Sequence, residues 1–188
     1  MSKTIFEWDE LNLLRESVPE LLRSYQQKDR KAVRRWCDYM EFVLCLVYAY
    51  GWKDAEEIVG IVPFKDGLDD KAVNLDIDGE TFRDRIERQL AEDSPDGILR
   101  IIDTESHRDY NTAVYDAGKE SGISGLKKQY NTMDDDKVRD THSYLEGMVV
   151  GIDDYFYTFD GDFALAPGGF KNPQNNVNCR CWITLVRN

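Results

Sequence analysis

His142, Cys179 and Cys181 are the residues whose types could do chemistry, since zinc takes imidazole nitrogen and thiolate sulfur. A structural zinc site needs four ligands, and His107 would have to be the fourth. Cys-x-Cys is less diagnostic than Cys-x-x-Cys. The plainer reading is two small buried residues on a strand face, beside a hydrogen-bonded histidine. A nucleophilic pair of Cys179 with His142 is permitted on paper, but no flanking pattern of a thiol hydrolase accompanies it. Asp134, Asp135 and Asp136 with Asp140 form a second group. On a helix Asp136 and Asp140 share a face, where a divalent cation would bridge them, as in a metal-dependent nuclease. No second cluster converges there. Acidic residues favour turns and helix starts, so a turn and an N-cap are expected. A third row is Asp103, His107 and Asn111. It reads as a solvated helix face, or as a polar seam against a neighbouring domain. The Pro167-Gly168-Gly169 step is a turn, without the Lys-Ser/Thr and helix start of a phosphate loop.

Leu11, Leu14, Val18, Leu21 and Tyr25 share one face of a helix over 9–26, with Pro19 predicting a kink or a break. A second helix is expected over 30–50, with Gly51 as its left-handed cap. A short third helix fits 54–62 and stops at Pro63. Residues 64–78 read as a loop. Phe82, Ile86 and Leu90 mark a helix over 80–90. Ser94 as N-cap and Pro95 at the first helical position open another, running to about Glu120. Its core stripe is Ile98, Ile102, Ala113 and Ala117, and Gly122 and Gly125 follow its end. A strand at 130–133, a short helix over 136–145 ending at Gly147, and a strand at 148–150 come next. The last strand is expected over 178–187. Cys179, Cys181, Ile183 and Leu185 would line one face, and Arg180, Trp182 and Thr184 the other. The fold class expected is α+β. An N-terminal helical region covers 1–78, and a small mixed module with short antiparallel strands covers 79–188.

The 188 residues carry a formal net charge of −12. Such a chain repels phosphate backbones, and no basic stripe offsets this, so broad nucleic-acid binding is not expected. A hydrophobic share of 41% is enough for a packed core. No signal-peptide pattern opens the chain, and the longest apolar run, 42–50, is too short to span a bilayer. Cys37, Cys45, Cys179 and Cys181 are not spread like a secreted disulfide framework, which favours a reducing cytoplasm.

An ordered set of short motifs carries a family resemblance. Asp103-Thr104-Glu105 precedes Tyr110-Asn111. Tyr130-Asn131-Thr132-Met133-Asp134-Asp135 and Val138-Arg139-Asp140-Thr141-His142 follow. Leu145-Glu146-Gly147, Val149-Val150, Asp153-Asp154 and Phe156 come next, and Pro167-Gly168 with Asn178-Cys179-Arg180-Cys181 close the set. In this order they resemble the phage head morphogenesis domain of minor head proteins of tailed phages, the group similar to the phage Mu F protein. The resemblance covers about residues 80–186, and Asp78-Gly79-Glu80-Thr81-Phe82 with Asp84-Arg85-Ile86 resembles its lead-in.

The chain departs from the family pattern at Tyr130, where Trp is usual, and at Asn176-Val177-Asn178, where many members have His-Pro-Asn. The histidine that would complete a zinc set is thus missing. The resemblance implies a minor head (capsid) protein of a phage or prophage, working through contacts with portal, capsid and scaffold proteins. It would act in the bacterial host cytoplasm during assembly and then in the virion. No catalytic residue, no cofactor, no membrane and no toxin module after Val186 are expected. The alternatives are a metal-dependent nuclease or toxin-like hydrolase, and a zinc-supported interaction module. Thr104, Glu105, Asn111, Asp135, Arg139, His142, Gly147, Asn178, Cys179, Arg180 and Cys181 would form a structural motif. Under that reading Arg139 with Asp134 or Asp135 anchors the loop before the last strand by charge-assisted hydrogen bonds. Gly147 would permit a positive-φ turn into the strand at Val149–Val150.

Overall fold

Helix α1 (Asp9–Gln26) forms on the expected stripe, with Leu11, Leu14, Val18 and Leu21 buried along one face. The computed structural model describes residues 8–63 and 79–187, so the loop expected over 64–78 lies outside the described residues. The helix continues through Pro19 without a break. It ends in a Schellman turn built on Lys28, whose φ is 60°. The Lys28 N–H donates to the Tyr25 carbonyl and the Asp29 N–H to the Ser24 carbonyl. The Asp29 carboxylate then accepts from the N–H groups of Lys31 and Ala32 and so caps the next helix.

That helix, α2 (Arg30–Val59), replaces the two expected helices with one. It runs unbroken through Gly51, where an added Cβ would lie 2.6 Å from the Tyr110 carbonyl oxygen. The glycine serves close backbone approach and is not a cap. Gly60, at φ 84°, follows the true end. Helix α3 (Phe82–Ala91) opens with a capping box between Thr81 and Asp84 and buries Phe82, Ile86 and Leu90. A second Schellman turn closes it on Asp93, φ 52°. The Ser94 hydroxyl accepts from the Gly97 N–H and starts α4 (Pro95–Glu120), as expected. Ile98, Ile102, Ala113 and Ala117 of α4 are all fully buried.

The chain forms two compact units, and α2 and α4 contribute residues to both. The first takes residues 1–47 and 65–106. Its core joins the α1 stripe to Met40, Val43 and Leu44 of α2, Ile86 of α3 and Ile98 and Ile102 of α4. The second takes 48–64 and 107–188 and holds every strand of the described residues. Its elements after α4 are β1 (Lys127–Asn131), α5 (Asp140–Ser143), β2 (Val149–Gly151), β3 (Phe156–Tyr157), β4 (Phe163–Ala164), α6 (Pro173–Asn176) and β5 (Trp182–Val186). An antiparallel sheet has the order β2-β1-β5, with Tyr130 opposite Ile183, and β3 pairs with β4. Helices followed by short antiparallel strands make the fold α+β, as the sequence indicated. No helix of the described residues is long and apolar enough to cross a membrane.

Three local expectations change. The strand expected from Tyr130 begins at Lys127. The last strand begins at Trp182, so Cys179 and Cys181 sit in the loop leading into it, both buried. The helix expected over 136–145 shrinks to Asp140–Ser143, and Asp136 shares no helical face with Asp140.

Inside the second unit, Lys128 of β1 is fully buried. Its ammonium donates to the Ile152 carbonyl at 2.7 Å and lies 4.9 Å from the centre of the Tyr115 ring. Burial lowers its pKa to about 8. The folded chain therefore sheds this proton before the unfolded chain does. Between pH 8 and the ordinary lysine value the unfolded state binds more protons, so this group makes stability rise with pH. The slope is at most ~1.4 kcal/mol per pH unit. Urea midpoints for the native chain and Lys128→Met at pH 7.5 and 9.5 isolate the effect. The native chain should gain on the variant at the higher pH. A constant difference would show that the ammonium is not desolvated.

Candidate functional site

The sheet sets the position of the site. Tyr130 sits on the inward face of β1, fully buried, with its ring 5.1 Å from Phe156 in an edge-on contact. Helix α5 supplies His142, and the loop before β5 supplies Cys179 and Cys181. The donor atoms of these three lie within 4.8 Å of one another, and all three residues are buried. His142 Nδ1 is 3.6 Å from Cys179 Sγ and 3.6 Å from Cys181 Sγ. The Tyr130 hydroxyl is 3.3 Å from the same nitrogen. The imidazole stacks on Phe170 at 5.2 Å, and its Nε2 has no hydrogen-bond partner among the described residues. The three residues singled out by type in the sequence thus converge. His107 is not in the cluster. The fourth member, Tyr130, was missed as a donor. Its signal was a tyrosine on a strand's buried face, whose hydroxyl must find a partner.

The hydrogen bond from Cys181 holds the Cys179 thiol well below its usual range, and the same bond pushes Cys181 up. Burial raises the Tyr130 hydroxyl. The adjoining cavity has a volume of about 10 Å³. That is the space of a water molecule. A Cys179–His142 pair is formed beside a cavity of that size.

The loops around the cluster are tied by the family-like residues. The Arg139 guanidinium donates to the Val177 carbonyl. Arg180 donates to both Asp135 oxygens, at 2.6 and 2.8 Å, and holds that carboxyl below its usual range. The anchor expected between Arg139 and Asp134 or Asp135 is thus divided. Arg139 holds a backbone carbonyl, and Arg180 takes Asp135. Asn178 adopts φ 56° and Gly147 φ 72°. Asparagine tolerates that region, and glycine enters it freely. The Gly147 N–H donates to the Tyr130 carbonyl, tying the turn to β1. Arg139→Ala should lower the melting temperature by several degrees, in line with loss of a charge-assisted bond of ~1.5–3 kcal/mol. Arg139→Lys should recover part of it. Differential scanning calorimetry decides, and an unchanged melting temperature for Arg139→Ala would remove the clamp.

The polar row of α4 is not a solvated face. In the first unit Asp103 pairs with Arg15 at 2.8 Å. Glu105, beside half-buried Thr104, is buried and pairs with Arg85 at 2.6 Å. In the second unit His107 is buried. Asn111, fully buried, donates to the carbonyls of His107 and Cys181 and accepts from the Ile183 N–H at 3.0 Å. The Asp134–Asp136 group does not gather with Asp140 into a metal-holding set among the described residues. A wider cavity of about 960 Å³ lies in the first unit beside Lys28, Arg34, Cys37 and Glu87. It was not foreseen, and its lining is of mixed charge.

A family model described as phage Mu protein F-like protein matches residues 76–184. Among curated proteins, the NAD(+)–arginine ADP-ribosyltransferase EFV of Enterococcus faecalis (strain ATCC 700802 / V583) is 37% identical over 86 residues. That alignment covers 44% of this chain and 17% of the relative. No solved structure matches.

Proposed function

The chain belongs to the phage Mu protein F-like family, that of phage head morphogenesis, and from that premise we propose that it is a minor head protein of a tailed phage or prophage. It acts through contacts with portal and with capsid or scaffold proteins, first in the host cytoplasm during assembly and then in the virion. The match over residues 76–184 carries this reading. Two observations support it. Arg139, Arg180, Asp135 and Asn111 are engaged in fastening loops and strand edge. The β3–β4 region exposes Tyr155, Tyr157 and Phe159, residue types that protein interfaces favour.

The test is composition and capture. Tagged chain should retain the portal protein of the phage or prophage that encodes it, and purified heads should contain the chain in fewer copies than the capsid protein. Absence from heads together with no portal capture would overturn the reading. A second reading, ADP-ribosyl transfer, rests on the likeness to the Enterococcus faecalis enzyme, of which this chain covers 17%. Labelled NAD⁺ with an arginine acceptor tests it, and transfer of label would displace the head-protein reading.

A further inference from the structure

The geometry points to a structural zinc site, the alternative that the residue types left open. Its ligands are His142 Nδ1, Cys179 Sγ, Cys181 Sγ and the Tyr130 hydroxyl, a set that we infer from their convergence. This inference does not depend on the head-protein reading.

The argument starts from what one ring nitrogen can do. Nδ1 offers either one N–H or one lone pair, so it satisfies one hydrogen-bond partner. Three groups nevertheless crowd it: Cys179 Sγ at 3.6 Å, Cys181 Sγ at 3.6 Å and the Tyr130 hydroxyl at 3.3 Å. Hydrogen bonding to Nδ1 accounts for one of these three contacts. A central ion accounts for all of them.

The distances match such an ion. Zinc bonds of ~2.3 Å to sulfur and ~2.0–2.1 Å to nitrogen, at a tetrahedral angle, put sulfur and nitrogen roughly 3.5–3.6 Å apart. Oxygen and nitrogen ligands at ~2.0–2.1 Å fall roughly 3.3–3.4 Å apart by the same geometry. The observed 3.6, 3.6 and 3.3 Å are edges of that tetrahedron.

Charge and burial agree with the geometry. All four side chains are buried. The charge of the ion is balanced by the two thiolates, which suits a dry interior. Zinc takes both cysteines as thiolates, and a thiol proton still held on binding goes to solvent. The adjoining cavity of about 10 Å³ leaves no space for a substrate, so the ion would staple and not catalyse. It would join β1 and α5 to the loop before β5, whose cysteines lie 37 and 39 residues beyond His142.

The experiment uses the full chain, purified under reducing conditions, with zinc measured by atomic emission and then replaced by cobalt(II). The expected result is one zinc per chain that survives gel filtration. The cobalt form should show the visible bands of a tetrahedral site and a near-ultraviolet thiolate-to-cobalt charge-transfer band. Cys179→Ser, Cys181→Ser and His142→Gln should each lose tight zinc, while Cys37→Ala should keep it. Tyr130→Phe should keep the charge-transfer band and bind roughly 10–100-fold more weakly. A native chain that folds without zinc in zinc-containing buffer would overturn the proposal. So would a cobalt form without the charge-transfer band, or a Cys179→Ser/Cys181→Ser chain with unchanged zinc content. The native chain's cobalt spectrum decides even where a variant fails to fold.

Discussion

Glu105→Leu is expected to cost ~3–5 kcal/mol of stability, among the largest single-residue effects in this chain. Glu105 is 2% exposed and accepts from Arg85 Nη1 at 2.6 Å. Arg85 is itself buried in the helical unit and also donates to the carbonyl of Thr81, the residue that caps α3. Removing the carboxylate takes the 2.6 Å partner from a buried guanidinium that cannot lose its charge. The cost is therefore the desolvation of a buried cation that has lost this counter-charge, which exceeds the value of the pair itself.

That distinction gives the result its shape. If the penalty is the orphaned charge, removing Arg85 as well should relieve it. Arg85→Met/Glu105→Leu should return most of the lost stability, and replacement of such pairs by apolar residues of similar volume is often neutral. Arg85→Met alone should also destabilise, by taking from buried Glu105 its 2.6 Å counter-charge. Urea denaturation of the four chains completes the cycle. A Glu105→Leu chain within ~0.5 kcal/mol of the native one would show that water reaches the pair.

Glu105 entered the sequence reading as part of a motif, but Arg85 did not enter as its partner. The two are 20 residues apart on separate helices, and no helical period links them. The apolar stripes were legible for the opposite reason. Leu11, Leu14, Val18 and Leu21 share a face by local geometry alone, whatever they pack against. Helix ends fell between these cases. Gly51 carries the usual stop signal yet lies inside α2, because a neighbouring carbonyl presses on its backbone. The actual left-handed caps are Lys28 and Asp93, where two reciprocal backbone bonds outweigh the strain of a side chain. The site divides in the same way. His142, Cys179 and Cys181 were legible by residue type. Their meeting depends on the β1–β5 register that sets Tyr130 opposite Ile183, and pairing register in strands this short is fixed by tertiary packing.

Asn111→Ala should be nearly as severe as loss of Glu105, at roughly 2–5 kcal/mol. Strand β5 lies at the edge of its sheet, and an edge strand leaves a row of backbone groups unpaired. Asn111 covers two of them. Its amide nitrogen donates to the Cys181 carbonyl, and its amide oxygen accepts from the Ile183 N–H. One primary amide thus presents the donor and acceptor of a neighbouring strand, with the order of nitrogen and oxygen dictated by the backbone groups it meets. A third bond, to the His107 carbonyl one helical turn back, fixes the side chain to its own helix. Alanine would leave a buried carbonyl and a buried N–H without partners, at ~1–3 kcal/mol each. Asn111→Asp is the sharper variant. It keeps the shape and the acceptor for Ile183, but turns an oxygen toward the Cys181 carbonyl, so at neutral pH it should be no better than alanine. The Cys181 carbonyl belongs to the loop that carries the two thiols, so both variants should also speed amide exchange at Ile183 and loosen the cysteine loop. Hydrogen exchange reads this directly. Protection at Ile183 that survives Asn111→Ala would mean that another group, and not this amide, closes the edge.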